Sequence, residues 1–198
     1  MGQRLVVTIQ KDERDLCKIY YHWSAYSFSA LKETQAIVNC IYNHKEETEK
    51  ELLLRLIRFC EENGGGIDGK EEEFKYIQSL YPNETFKKED YSRNFGLIAL
   101  SEKGMQDLQN WSEGDVTIDI DEEKIYNGVY CYYETLEEFN EEMQECDDEF
   151  EPLTLDDITD IGYDISEIDI EDLDDVIEEL RDVNEICRYG NEIFDLTE

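Results

Sequence analysis

The sequence predicts an α+β fold of mixed helices and antiparallel hairpins, followed by a strongly acidic, mainly helical C-terminal segment. Three observations carry this prediction. Short β-rich runs are interleaved with stretches of helical periodicity, and no regular βαβ repeat recurs. The 198 residues are 40% hydrophobic and 12% aromatic, enough to bury a core. Charge is partitioned along the chain: residues 1–99 hold 14 Lys/Arg against 17 Asp/Glu, and residues 100–198 hold 4 against 35, so nearly all of the net −34 lies in the second half.

The elements follow in order. LVVTI (Leu5 to Ile9) and CKIYYHW (Cys17 to Trp23), separated by the charged stretch QKDERD, predict an opening antiparallel hairpin. Ser27 or Ser29 can cap a helix running to Tyr42, in which Leu31, Ile37, Val38 and Ile41 recur near helical spacing. A second helix starts at Thr48, which forms a capping box with Glu51, and carries Leu52, Leu53, Leu56, Ile57 and Cys60 on its apolar face. Gly64, Gly65 and Gly66 are expected to supply positive φ and end it. Lys70 to Ser92 reads as a loose connection with a short helix around Phe74 to Leu80. Gly96 to Ser101 then reads as a strand, Glu102 to Trp111 as a short helix, Asp115 to Asp121 as an alternating strand, Gly128 to Tyr133 as its hairpin partner, and Leu136 to Cys146 as a helix.

A change of composition after Asp147 sets an expected boundary: an α+β domain over residues 1–146 and an acidic helical segment over residues 147–198. In the longest predicted helix, from about Ile170 to Tyr189, Leu173, Val176, Ile177, Leu180, Val183 and Ile186 form an apolar stripe. Asp172, Asp174, Asp175, Glu178, Glu179, Asp182 and Glu185 occupy much of the remainder. Carboxylates three and four apart on a helix lie roughly 5 to 6 Å from one another, a spacing that a Lys/Arg groove can accept as a row of phosphates. Such a surface repels nucleic acid and anionic membranes and attracts the proteins that bind those polyanions. The expected partner is therefore a basic nucleic-acid-binding protein, with no direct nucleic-acid binding by this chain. Dense charge alone binds many basic proteins weakly, so Tyr21, Trp23 and Tyr26 are the expected discriminating contacts.

Other chemistry is weaker in the sequence. No run of about 18 apolar residues exists and the N-terminus turns charged after a few apolar positions, which predicts no membrane span and no secretory signal. Cys17, Cys40, Cys60, Cys131, Cys146 and Cys187 contain no CxxC pair, the usage of a reducing cytoplasm without a zinc framework. DITDIGYDISEID sets Ile where an EF-hand loop needs ligands, and NGGGIDGK lacks the GxxxxGK[ST] spacing of a phosphate loop. No metal or cofactor is expected. The cluster YYHWSAY holds His22 and Ser24, which define an alternative, catalytic reading: an acid/base and nucleophile pair acting on a phosphodiester or acyl group. Favoured over it is a strand end whose aromatics seal the core, with His22 hydrogen-bonded to backbone, since no second histidine or cysteine partner can be placed nearby.

The opening MGQRLVVTIQ…YYHWSAYSFSAL, together with SRNFGLIALSEKGMQDLQNWSEGDVTIDID (Ser92 to Asp121), resembles a family of small proteins carried on phages and conjugative elements of Firmicutes, some of which are anti-CRISPR proteins acting on the type II effector nuclease. The likeness covers roughly residues 1 to 135; the acidic segment after 147 lies outside it. What it implies is host-defence evasion in the cytoplasm of a bacterial host, through interference with guide-RNA loading, DNA binding or guide integrity. It assigns no catalytic residue. A type II CRISPR nuclease holds its guide–target duplex in a positively charged channel, so the resemblance and the charge point to one partner. The leading expectation is a stoichiometric inhibitor that is not an enzyme. The alternatives are an enzyme that causes cleavage of the nuclease-bound guide RNA through the His22 segment, and an acidic decoy of another DNA-binding protein such as a restriction or repair enzyme.

Overall fold

In the computed structural model residues 4–25, 27–89, 96–128, 140–141, 144–145, 151–152 and 166–189 are described, with the backbone alone for residues 182–189. The elements are β1 (Leu5–Lys11), β2 (Arg14–Tyr21), α1 (Ser27–Ile41), α2 (Glu49–Glu62), β3 (Gly66–Asp68), α3 (Glu71–Leu80), β4 (Lys88–Glu89), β5 (Leu97–Ala99), α4 (Glu102–Gln109), β6 (Gly114–Asp119), β7 (Lys124–Asn127), β8 (Glu167–Asp169) and α5 (Leu173–Tyr189). Their strands form one sheet in the order β4-β3-β5-β2-β1-β6-β7-β8.

The opening hairpin forms as predicted, with both strands longer than the apolar runs. Asp12 and Glu13 take positive φ of 52° and 58°, the two left-handed positions of a tight turn whose twist suits the flanking strands, and Lys11 pairs with Arg14. The helix α2 starts at the predicted capping box: Thr48 Oγ1 accepts from the Glu51 amide and Glu51 Oε2 accepts from the Thr48 amide. Thr48→Ala is expected to cost about 1 kcal/mol, lowering the melting temperature by about 2–4 °C. A melt indistinguishable from that of the parent protein would remove the cap from the account.

Antiparallel pairing joins β1 to β2, β2 to β5, β6 to β7 and β7 to β8, but β1–β6, β3–β4 and β3–β5 run parallel, so the sheet is mixed. Local periodicity cannot reveal these joins, because each brings together strands separated by intervening helices. Two further corrections concern turns. Of Gly64 to Gly66 only Gly64 has positive φ (91°), and Gly66 instead opens β3. The partner of β6 is Lys124–Asn127, not Gly128 to Tyr133. The Asp119 side chain accepts from the amides of Asp121 and Glu122, and Glu123 takes a φ of 55°, so the chain reverses early and Asp119 pairs with Lys124. Residues 129–133 lie outside the described residues. So does most of Leu136 to Cys146, of which 140–141 and 144–145 are helical.

The boundary expected near 147 does not divide the core. The strand β8 hydrogen-bonds to β7, α5 packs on α1, and Ile168, Ile170, Leu173 and Leu180 join the same apolar cluster as Leu5, Val7, Ile9, Leu31 and Leu56. Their burial draws the described part of the acidic segment onto the first unit. This core fills one face of the sheet, under α1, α2, α3 and α5. On the other face Val6, Tyr20, Leu97 and Ala99 are covered by Leu108 and Met105 of α4.

Candidate partner-binding surface

The helix α5 combines anchoring with display. Leu173 and Leu180 are 2% and 3% exposed, and Val176 and Ile177 pack partly buried against the core. Asp172, just before the helix, and Asp174, Asp175, Glu178 and Glu179 on it are exposed. Arg181 pairs with Glu178 at 2.8 Å. The backbone of Asp182 and Glu185 continues the helix, while their side chains lie outside the described ones.

A second acidic surface was missed in the sequence. Cross-strand register aligns Gln10, Asp119, Lys124 and Asp169 in one row and Thr8, Thr117, Tyr126 and Glu167 in the next, on the sheet face opposite the main core. Asp115, Glu167 and Asp169 are exposed there, with Lys124 held between Glu167 (3.2 Å) and Asp169 (2.5 Å). Tyr126 donates to Glu122 at 2.6 Å, and that bond pushes its phenol up to about 12. The signal was present in the alternation of DVTIDID: if Val116 and Ile118 face the core, Asp115 and Asp119 cannot.

The cations are largely spent within the molecule. Arg4 binds Glu113, Lys45 binds Glu123, Arg55 binds Glu47, and Arg58 binds both Glu61 and Glu84. Neutralised in this way, they leave the field to the surplus carboxylates.

The aromatic segment is split by the end of β2. Tyr21, opposite Leu5, is 5% exposed in the main core, where burial pushes its phenol up; it is not available as a partner contact. Trp23, two residues farther on and past the strand, is 45% exposed. Tyr26 lies outside the described residues. His22 Nδ1 is 2.7 Å from Tyr20 Oη, and its ring meets Trp23 edge to face at 4.9 Å. Ser24 Oγ instead points to Glu33 Oε1 at 3.5 Å. His22 and Ser24 therefore have separate partners and are not assembled as an acid/base and nucleophile pair.

The carboxyl ends of β3 and β5 are where a parallel pair whose following helices leave to opposite faces opens a ligand crevice. Here α3 packs through Ile77 on the main core and α4 through Leu108 on the other face. The crevice is filled from within. Glu73, 2% exposed, accepts from the amides of Leu100 (2.7 Å) and Ser101 (3.1 Å), occupying the start of α4 where an anion would sit. Lys70, the lysine of NGGGIDGK, pairs with Asp107 at 3.0 Å and stands 3.9 Å from Asp68. Burial holds the Asp68 carboxyl above the ordinary aspartate range, with Lys70 partly offsetting it. Among the described residues no group of three or more His, Cys, Asp or Glu side chains is arranged to hold a metal, and no helix is long and apolar enough to cross a membrane.

Comparison with protein-family models, curated proteins and solved structures returned no match.

Proposed function

We propose that the protein is a stoichiometric inhibitor that offers folded carboxylate surfaces to the basic channel of a nucleic-acid-binding defence protein, a type II CRISPR nuclease being the leading target. The observation that carries the reading is α5: a helix fixed to the core through Leu173 and Leu180, with Asp174, Asp175, Glu178 and Glu179 exposed at helical spacing. A flexible acidic tail would lose conformational entropy on binding; a helix already packed loses less. The acidic sheet face, the internal neutralisation of cations and the resemblance of the N-terminal blocks support the same reading. The guide-cleaving alternative gains nothing from the geometry of His22 and Ser24.

The test is DNA cleavage by a guide-loaded type II CRISPR nuclease titrated with this protein, with guide length read on the same gel. Expected is loss of cleavage near equal molar ratio with the guide intact. The apparent affinity should fall at least about tenfold between about 50 and about 200 mM salt, as for phosphate contacts that release counterions. The combined variant Asp174→Asn, Asp175→Asn, Glu178→Gln, Glu179→Gln should weaken inhibition, and the guide should stay intact with the parent protein and with His22→Ala alike. Affinity independent of salt would discard charge mimicry; a shortened guide at substoichiometric protein, lost in His22→Ala, would replace it with catalysis.

A further inference from the structure

Both tryptophans of the chain stand exposed, Trp23 at 45% and Trp111 at 49%, and the fold carries them to one end of the sheet. Leu5 lies opposite Tyr21 of β2 on one side and Gly114 of β6 on the other, so the residues before Leu5 and Gly114 and those after Tyr21 emerge together. Extending the β1–β2 register by one residue sets Arg4 opposite His22. Contacts link the set: the Arg4 guanidinium carbon is 5.6 Å from the Trp111 ring centroid, Tyr20 Oη is 2.7 Å from His22 Nδ1, and His22 meets Trp23 at 4.9 Å.

We infer that the strip Trp111–Arg4–His22–Trp23, held from beneath by the buried Tyr20, is the discriminating contact surface of this protein, and that its occupant is an arginine-bearing segment of the basic partner. The inference deepens the decoy reading and rests on it. Trp, Tyr and Arg are the residues that concentrate binding energy at interfaces, and single exposed apolar residues are ordinary where a converging pair is not. Arg4 does not repel a cation here, because Glu113 holds it at 2.6 Å, and Asp115, two residues farther along, is exposed. Tryptophan faces accept a guanidinium by stacking and cation–π attraction, better than they accept a hydrated ammonium. The molecule already uses this contact internally, with Arg4 over Trp111 and Arg58 4.9 Å from the Phe86 ring centroid. Nucleobases also stack on tryptophan, but their phosphates would meet a net charge of −34.

The experiment is fluorescence anisotropy with labelled oligoarginine and oligolysine of equal length and with oligothymidylate, using the full chain and the variants Trp23→Leu, Trp111→Leu, their double, and the Phe counterparts. The parent protein should prefer oligoarginine. Each Leu variant should lose about two- to fivefold in affinity for oligoarginine and the double about tenfold, with little change for oligolysine; Phe should restore most of the loss. Unchanged affinity and preference in the double variant, with binding still salt-sensitive, would overturn the strip and leave the decoy reading standing. Binding of neither peptide at low salt would overturn both. Oligothymidylate binding more tightly than the peptides would overturn the occupant.

Discussion

Gly65→Ala is expected to abolish cooperative folding. A Cβ at this position would stand 1.9 Å from the carbonyl oxygen of Gly96 and 2.8 Å from its carbon, well inside contact distance. Neither side can yield cheaply. The Gly65 amide donates to Cys60 at the end of α2 (2.7 Å), and one residue on, Gly66 donates to that same Gly96 oxygen (3.1 Å), fixing β3 against β5. Relief requires separating the two strands, which detaches Ile67 and Ile98, both fully buried. Overpacking a core costs about 1–3 kcal/mol when side chains can adjust; with backbone on both sides the cost is expected above about 4 kcal/mol, a large share of a stability of about 5–15 kcal/mol. Gly64→Ala is the control, since it meets only the strain of a φ of 91°, about 1–2 kcal/mol. Thermal unfolding followed by circular dichroism separates the two. A Gly65→Ala protein that melts within a few degrees of Gly64→Ala would refute the close approach.

That contact explains part of what the sequence hid. Three consecutive glycines read as a helix stop because positive φ is the local use of glycine; the use made of Gly65 and Gly66 is space, and the neighbours that demand it lie more than 20 residues away. Strands of three and two residues such as β3 and β4 are too short for any alternation to register. By contrast, the hairpin β1–β2, the helices α1 and α2, the capping box and the β6 alternation were legible, because their apolar spacing and caps are local. The candidate surface divides along the same line. The exposed carboxylates of α5 follow from its stripe, and Trp23, one of the three aromatics expected to make contacts, is exposed. Tyr21 was not separable from Trp23: alternation puts both on one face, and only the end of β2 decides that one is covered by helices and the other is not. The acidity of the sheet face is visible residue by residue, but bringing Asp115, Glu167 and Asp169 onto one face needs the pairing of β8 with β7, which is non-local.

Glu73→Ala is expected to lower stability by about 3–5 kcal/mol, or a melting temperature by about 10 °C or more. The carboxylate is one of three consecutive glutamates, and the run Glu71–Glu73 gives no hint that its last member is buried. Its Oε1 accepts from the Leu100 and Ser101 amides and its Oε2 from the Ser101 hydroxyl, which in turn accepts from the Gly104 amide at 3.0 Å. Removing it strands the buried amide of Leu100 and the half-buried amide of Ser101, and leaves a void between α3 and α4. Glu73→Gln keeps an oxygen for the two amides but turns an N–H toward Ser101, whose hydroxyl must then serve two donors; a smaller loss, about 1–2 kcal/mol, is expected. The decisive measurement is a double-mutant cycle with Gly104→Ala, read by urea unfolding. A Cβ on Gly104 would lie 2.2 Å from Glu73 Oε2, an oxygen pinned by its hydrogen bond and unable to swing away. Gly104→Ala should therefore destabilise the parent protein strongly and the Glu73→Ala protein weakly, because truncation frees the volume that the methyl needs. The coupling should exceed about 1 kcal/mol. Additive losses would mean that the carboxylate does not sit over the start of α4, and the crevice between β3 and β5 would then be open to a ligand after all.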